Sequence, residues 1–205
     1  MRRSSRMRRS LRLLLAATVA ATIGAAAPSS ARPGTPDNAA VVVNTREGAA
    51  RSDFAFSLQR VKSRAVAPTN VAVARATCES CKTVAIAFQI VLAAGDPDSI
   101  APVNRAIAVN DHCTHCDTLA AAYQFVVVTG RRAHLTPRGL RRLTAIRRQL
   151  GELARSELPV QDIRVRVGER ATRVQSVLAS ELVVAERRRA ACRSRGLAGT
   201  ACSDR

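Results

Sequence analysis

Two pairs of cysteines in this chain share the spacing Cys-x-x-Cys. The first pair is Cys78 and Cys81, and the second is Cys113 and Cys116. Four thiols at this spacing suit three kinds of chemistry: structural disulfides, a zinc site with four sulfur ligands, or thiol–disulfide exchange. His112 and His115 flank the cysteines of the second pair and add two candidate zinc ligands.

Structural disulfides are the interpretation we prefer for these cysteines. The chain carries the marks of an exported protein, and exported proteins keep disulfides. Zinc bound by the four cysteines is the alternative, and it is the only cofactor that the sequence indicates. A redox site is less favoured, because a thioredoxin-like motif needs a strand before it and a helix after it. The sequence has no H-E-x-x-H, G-x-S-x-G or glycine-rich phosphate loop, so we predict no catalytic residue.

The N-terminal 31 residues have the order of a secretory signal peptide. Six arginines precede an apolar stretch over 13–27, and a small-residue site ends at Ala31. No apolar run reaches the roughly 20 residues that a membrane span needs. The sequence therefore predicts export, with the mature protein extracellular or associated with the cell envelope.

Composition and charge narrow the classes further. About half of the residues are apolar, which excludes full disorder, but only four Phe and one Tyr are present, so alanine, valine, leucine and isoleucine must fill the core. Residues 131–205 hold 18 basic and seven acidic side chains, whereas residues 32–130 are nearly neutral. We expect the arginine-rich helices to meet an anionic envelope polymer or a lipid surface. Specific nucleic-acid binding is not expected, since aromatic stacking platforms are missing.

A repeat surrounds the cysteines. The pattern C-x2-C-x-T-x-A-x-A-[FY]-Q-x-V-x3-G begins at Cys78 and again at Cys113, and an upstream Asn-x-Ala motif begins at Asn70 and at Asn104. A fainter third copy starts at Asn38 and has Arg46-Glu47-Gly48 near the place of the cysteines. We align Gln59 of that copy with Gln89 and Gln124, as structural glutamines that bond across strands.

Every second position matches within each copy, which is typical of strands. Each unit therefore predicts strand, turn and strand, and three units predict about six antiparallel strands; helices starting at the cysteines are the competing interpretation. The bulky face of the second unit should be the core, and the small face should allow close approach. In a flat meander, Cys81 and Cys113 lie close enough to bridge, while Cys78 and Cys116 lie about 14 Å apart. If the hairpins pack face to face, all four sulfurs converge, which suits either zinc or two bridges between the motifs. A bridge within one Cys-x-x-Cys motif is also possible, but we expect it to strain the turn.

The back half of the chain predicts two helices. Thr136-Pro137 forms an N-cap with a first-turn proline, and one apolar stripe follows. Pro159 ends or restarts the helix, and a second stripe follows it. The stripes are Leu140, Leu143, Ile146, Leu150 and Leu153, then Ile163, Val167, Val174, Val177, Leu178 and Leu182. We expect an antiparallel helical hairpin on the sheet, with arginines on its other faces.

The doubled motif also carries a family resemblance. The run from Asn70 to Gln89, repeated from Asn104 to Gln124 and followed by Leu135-Thr136-Pro137, resembles a C-terminal segment of actinobacterial exported proteins labelled as peptide zinc metalloproteases. The resemblance covers residues 38 to about 185. It implies an exported location and a shared architecture. Proteolysis does not carry over, because this chain lacks the helix with two histidines and a glutamate.

The expected organisation has four segments and one fold class, α+β. These are a signal peptide over 1–31, a three-fold β-hairpin repeat over 32–130, a basic helical hairpin over 131–190 and a flexible tail over 191–205. We expect an exported, non-catalytic structural or interaction module of the cell envelope. The alternatives are a zinc-binding accessory domain of a peptidase-type system and an extracytoplasmic thiol–disulfide oxidoreductase.

Overall fold

The computed structural model describes residues 37–185. The three repeats contain β1 (Asp37–Asn44), β2 (Ala50–Val61) and β3 (Ala65–Val66), then β4 (Thr69–Ala76), β5 (Lys82–Ala94) and β6 (Ser99–Ile100), then β7 (Val103–Asn110) and β8 (Asp117–Thr129). They are followed by β9 (Ala133–Leu135), α1 (Pro137–Ala154), α2 (Val160–Glu181) and β10 (Leu182–Val184). The expected signal peptide and tail, with Cys192 and Cys202, lie outside the described residues.

The repeats stack as successive coils of a parallel β-solenoid. Equivalent strands of neighbouring coils pair in two three-stranded sheets, β1-β4-β7 and β2-β5-β8, and the short strands β3 and β6 pair beside them. All of these pairs are parallel. Of the strands within residues 37–185, only β9 and β10 pair antiparallel. Each coil thus contributes one strand to each of two facing sheets.

The predicted antiparallel hairpins are therefore wrong. The two long strands of one repeat do not pair with each other, because they lie in different sheets and the turn between them crosses from one sheet to the other. The physical reason lies in the repeat itself. A parallel stack in register places each repeated residue beside its own copy, so asparagine meets asparagine and alanine meets alanine. A hairpin would instead pair the first half of the motif with the unlike second half.

The residue pairing between the parallel strands also tests the alignment of the repeats. Asn38 pairs with Asn70 and Asn70 with Asn104, as the sequence comparison proposed. Gln89 pairs with Gln124. The first repeat was misaligned by two residues in its second strand, because Gln59 pairs with Val91 while Ser57 pairs with Gln89. Only two of the three glutamines are therefore equivalent.

Both faces of β5 are buried, and they have different neighbours. Its small residues, Ala85 and Ala87, pack with Ala72 and Ala74 of β4 in an alanine-rich layer between the two sheets. Its bulky face, which includes Phe88, packs against the helices in the main hydrophobic core. The sequence prediction that the bulky face is core and the small face permits close approach is confirmed. The small-residue layer works because alanine side chains let facing sheets come close.

The two helices form the third layer. Thr136 caps α1 by accepting a hydrogen bond from the Gly139 backbone N–H at 3.0 Å, and Pro137 starts the helix. The Thr136 backbone N–H donates to the Glu181 carbonyl at the far end of α2, so the helices run antiparallel. Leu140 is an exception to the predicted stripes, because its side chain is exposed. The remaining residues of both predicted stripes are buried, apart from half-buried Leu182.

Candidate functional site: the stacked cysteine turns

The cysteines lie on turns that stack like the strands on either side. Three turns connect the two sheets, one in each coil, and backbone hydrogen bonds run between them. Gly48 donates its backbone N–H to the Glu79 carbonyl at 2.9 Å, and Ser80 donates to Thr114 at 2.8 Å. The turn over Arg46-Glu47-Gly48 is thus the cysteine-free equivalent of the two Cys-x-x-Cys turns. Sequence comparison located it correctly.

One equivalent position in every turn has a left-handed backbone, and the third turn has a second one at His112, with a φ of 50°. Gly48, Ser80 and His115 occupy equivalent places and have φ values of 64°, 51° and 57°. Glycine reaches this region without steric cost, whereas serine and histidine carry a penalty there. The left-handed residue bends each Cys-x-x-Cys loop back on itself. The first and last residues of the loop are thereby brought together, with Cα atoms 6.1 Å apart in the second coil and 5.9 Å apart in the third.

Within each motif the two sulfurs lie at disulfide distance, Cys78 with Cys81 and Cys113 with Cys116. The pairing expected from a flat meander was Cys81 with Cys113, and it is wrong. The separation of about 14 Å between Cys78 and Cys116 is wrong as well, because it rests on intervening strands that the solenoid does not have. Stacked coils place the two motifs one strand spacing apart.

The four sulfurs converge into one cluster. The Cys81 Sγ lies 3.4 Å from the Cys116 Sγ and 3.9 Å from the Cys113 Sγ. The Sγ atoms of Cys78, Cys81 and Cys113 all lie within 4.8 Å of one another and could hold a metal ion. The convergence expected for face-to-face hairpins is therefore found, although stacked coils produce it. His112 and His115 are exposed and do not belong to this group among the described residues.

Burial differs between the two motifs. Cys78 and Cys81 are 1% and 2% exposed, whereas Cys113 and Cys116 are half-buried in the last coil. The carbonyl oxygen of Cys78 faces the second motif, 2.6 Å from the Cys113 Sγ and 2.7 Å from the Cys116 Sγ. Among the described residues, the third coil is therefore the more accessible side of the cluster for an external thiol or metal.

Charged groups border the cluster without entering it. The Asp111 carboxylate binds Arg75 at 2.5 Å and the His112 Nδ1 at 2.7 Å. These two contacts hold the pKa of the Asp111 carboxyl below its usual value, with the Arg75 hydrogen bond as the larger cause. His112 is thus engaged with a neighbouring carboxylate.

Two side-chain ladders run from coil to coil at some distance from the cysteine turns, and sequence reasoning did not assign their roles. Asn38 donates its amide to Asn70 and Asn70 donates to Asn104, each at 2.8 Å. The rings of Phe56, Phe88 and Tyr123 stack on the helix-facing side of the β2-β5-β8 sheet, with neighbouring ring centroids 6.2 and 4.9 Å apart. The recurrence of asparagine and of aromatic residues at the repeat spacing is the signal that identifies both ladders.

The arginine-rich helices expose most of their charge. Arg141, Arg147 and Arg148 are exposed on α1, as are Arg164 and Arg166 on α2. Glu181 neutralises part of the surface near the start of α1, where its carboxylate lies 3.4 Å from both Arg138 and Arg142. Neither helix is long and apolar enough to cross a membrane. The predicted basic surface is therefore present on the described helices.

No protein-family profile matches the chain, and neither does any curated protein or solved structure.

Proposed function

We propose that this protein is an exported, non-catalytic β-solenoid module of the cell envelope, in which the Cys-x-x-Cys turns act as structural disulfides. The observation that carries the proposal is the placement of both motifs on stacked turns, with Cys78 and Cys81 almost fully buried. A disulfide there locks the turn that carries the chain from one sheet to the other.

The short loop determines how much each disulfide contributes. Loop-closure entropy grows with the number of residues enclosed, so a four-residue loop lies at the low end, about 2 kcal/mol. The two bridges are therefore local locks rather than clamps across the coils. Hydrogen bonds and packing must hold one coil to the next.

Peptide mapping of the secreted protein tests this proposal. The protein is denatured without reductant, alkylated, digested and sequenced by mass spectrometry, so that each cysteine is assigned separately. We expect none of Cys78, Cys81, Cys113 and Cys116 to be alkylated, and the two linkages to lie within the motifs. The same spectra locate the N-terminus, which we expect after Ala31. Alkylation of all four cysteines, in a preparation that circular dichroism shows to be folded before it is denatured, would refute the disulfide role.

Zinc binding is the second candidate, because the spacing between motifs suits it. A Zn–S bond of about 2.3 Å gives sulfur–sulfur edges of about 3.8 Å in a tetrahedron. The distances of 3.4 and 3.9 Å from Cys81 to the second motif lie near that value. If the four cysteines are thiols, they lose their protons and bind one Zn²⁺, as an accessory domain of a peptidase-type system would.

Native mass spectrometry separates zinc from disulfides. A zinc protein carries one metal ion per chain and loses it, together with stability, when a chelator is added. A disulfide protein carries no metal and is insensitive to the chelator. The double variant Cys113→Ser/Cys116→Ser abolishes metal content in the first case, and costs about 2 kcal/mol in the free energy of unfolding in the second.

Thiol–disulfide exchange is the alternative with least support. A catalytic cysteine must be an accessible thiolate, and the first motif is buried. Only the half-buried second motif could react with an external disulfide. We expect no reduction of insulin by the dithiol form above the rate of free dithiothreitol.

A partner for the basic helices completes the proposal. Exposed arginines on both helices favour an anionic envelope polymer or an anionic lipid surface. The helices pack on one side of the β2-β5-β8 sheet, so the repeat region supports them on the side opposite their exposed arginines. We infer that the solenoid presents the helical hairpin to the envelope.

A further inference from the structure

A cavity of about 460 Å³ lies at the far end of the β2-β5-β8 sheet, away from the cysteine turns. The C-terminal ends of β2 and β5 form one side of it. The β9–β10 ribbon, which connects to the helices, forms the other side. We call this cavity the ribbon cleft. Its volume is within the range of about 300–1,000 Å³ that small-molecule sites occupy.

The inner part of the ribbon cleft is apolar. Leu92 is 2% exposed and Ala133 is 6% exposed, so both side chains are held in place by the surrounding fold. Leu92 belongs to the main hydrophobic core, and the cleft therefore reaches the edge of that core. A hydrocarbon chain entering here would exchange water for packed side chains.

The rim of the ribbon cleft is cationic. Arg60 pairs with Leu92 in the parallel ladder, so its side chain rises from the same face of the sheet. Lys62, Arg132 and His134 complete the rim, and no carboxylate lines the cleft among the described residues.

These rim cations have no partner within residues 37–185. None of Arg60, Lys62 and Arg132 forms an ion pair there or donates a side-chain hydrogen bond. Arg64, only two residues beyond Lys62, does pair with a carboxylate, that of Asp98 at 2.8 Å. Three converging cations above an apolar floor, without an acid to neutralise them, match a ligand with a negative head and a hydrocarbon body.

We propose that the ribbon cleft binds an amphipathic monoanion, with the chemistry of a medium-chain fatty acid. The carboxylate accepts hydrogen bonds from Arg60 and Arg132, since a guanidinium fits a carboxylate with two parallel bonds. The alkyl chain lies against Leu92 and Ala133. The inference goes beyond the proposed function and does not depend on the state of the cysteines.

Calorimetric titration of the full-length protein with sodium decanoate, below the concentration at which it forms micelles, tests the proposal. We expect saturable binding of one decanoate. Octanoate should bind more weakly by about fourfold per methylene removed, which is the fold-change that about 0.8 kcal/mol per buried methylene corresponds to. Acetate has the head alone, and decyltrimethylammonium has the chain with the opposite charge, so neither should bind measurably.

Charge-reversal variants locate the site. Arg60→Glu and Arg132→Glu should each weaken decanoate binding at least tenfold. Arg105→Glu on β7 makes the same change in net charge outside the cleft and should leave binding unchanged. All three positions are exposed, so circular dichroism and the melting temperature should match those of the parent protein.

Three results would overturn the proposal. They are equal binding of decanoate by the parent and both cleft variants, equal binding of decyltrimethylammonium, and no saturable binding of decanoate at all. Vesicles of neutral lipid with and without anionic lipid distinguish the source of the head group. Association with anionic vesicles, in the absence of decanoate binding, assigns anion recognition to the helices instead of the cleft.

Discussion

At the scale of single residues, the left-handed position in each turn has a clear conformational role. Glycine fills it in the first coil, while serine and histidine fill it in the second and third. A Cβ placed on Gly48 would meet no atom within 4 Å, so any cost of substitution there comes from the backbone alone. The turn stack therefore offers a direct measure of backbone strain.

Gly48→Ala should lower the free energy of unfolding by about 1–2 kcal/mol, because alanine is disfavoured at φ 64°. Ser80→Gly should raise it by up to about 1 kcal/mol, since the penalty is removed. Gly130→Ala is the matched control: it also has open space, but not a left-handed backbone, and should change stability by less than about 0.5 kcal/mol. Urea denaturation measures all three. Equal losses at Gly48 and Gly130 would contradict the argument.

Glu181 makes the stability of the helical layer depend on pH in the acid range. Its carboxylate accepts a hydrogen bond from the Thr136 hydroxyl and lies near Arg138 and Arg142, and these contacts lower the pKa of the Glu181 carboxyl, the Thr136 bond most strongly. A lowered folded-state pKa gives stability above the unfolded value of about 4.5 that is lost as pH falls through the folded value.

Glu181→Gln should therefore reduce the pH dependence of the melting temperature below about pH 5. The expected difference between parent and variant is largest near neutral pH and shrinks towards pH 3. Glu152→Gln is the control, because its carboxylate lies on the exposed side of α1 and has only a long contact to Arg148 at 3.7 Å. If the difference in melting temperature between the parent and Glu181→Gln is the same at every pH, this carboxylate has no such role.

At the scale of elements, the asparagine ladder joins the coils. Asn70 is completely buried, and its amide nitrogen reaches Asn104 and the Tyr123 carbonyl at 3.1 Å, while its oxygen accepts from Asn38. Asn104, in the last coil, is exposed and donates to the Ala122 carbonyl at 3.0 Å. The middle asparagine thus satisfies groups from all three coils.

Asn70→Ala should lower the free energy of unfolding by about 2–4 kcal/mol, because it leaves a cavity and unsatisfied buried polar groups. Asn104→Ala, which removes the same amide at the exposed end, should cost no more than about 1 kcal/mol. Chemical denaturation of both variants gives the comparison. Equal losses in the free energy of unfolding for Asn104→Ala and Asn70→Ala would mean that burial does not determine how much each asparagine stabilises the stack.

The close approach of the two helices is a second feature at this scale. A Cβ on Gly139 would lie 2.6 Å from the Cβ of Glu181, so α1 and α2 could not keep their spacing. Gly139→Ala should cost about 1–3 kcal/mol through overpacking. Gly168→Ala in α2 should instead stabilise by up to about 1 kcal/mol, because its nearest neighbour, the Tyr123 hydroxyl, is 3.6 Å away. Opposite signs in thermal melting are the expected outcome.

At the scale of the whole molecule, the described residues form three layers that differ in packing and in charge. The two sheets form a stack held by ladders and alanine packing, and the helices cover one face of it. The basic charge is concentrated on the helical layer. Salt screens electrostatic attraction over a length of about 8 Å at physiological ionic strength. The effect of added salt on binding to an anionic surface therefore tests the role of the helical layer.

We expect binding to vesicles that contain anionic lipid, no binding to vesicles of neutral lipid alone, and loss of binding in 0.5 M salt. Arg141→Glu/Arg148→Glu, on one face of α1, should weaken binding at least tenfold. The matched control Arg46→Glu/Arg105→Glu changes the same charge on the repeat and should have a small effect. Vesicle flotation measures each case, and an equal loss in both double variants would contradict a role for the helical face.

Much of the local structure could be read from the residues. Matches at every second position in the repeat after Cys78 predicted strands, and Thr136-Pro137 predicted the start of α1 at the residue where the structure has it. The equivalence of Asn38, Asn70 and Asn104 was also correct. These features depend on short-range patterns, and a single chain displays them in order.

The direction of pairing could not be read in this way. Period-two alternation states which side chains share a face, but it says nothing of which strand lies next to which. The wrong choice of hairpins then separated Cys78 from Cys116. The ribbon cleft was also invisible, because Arg60, Leu92 and Arg132 meet only when distant strands are stacked.

By itself, the sequence determined the repeat, the strands and helices, the small and bulky faces, and the basic character of the back half. The tertiary structure decided that the strands run parallel in stacked coils, that four sulfurs converge, and that three cations surround an apolar cleft. The physical reason is range. Propensity, capping and periodicity act over a few residues, whereas pairing partners and cavities arise from contacts between residues about a repeat length or more apart.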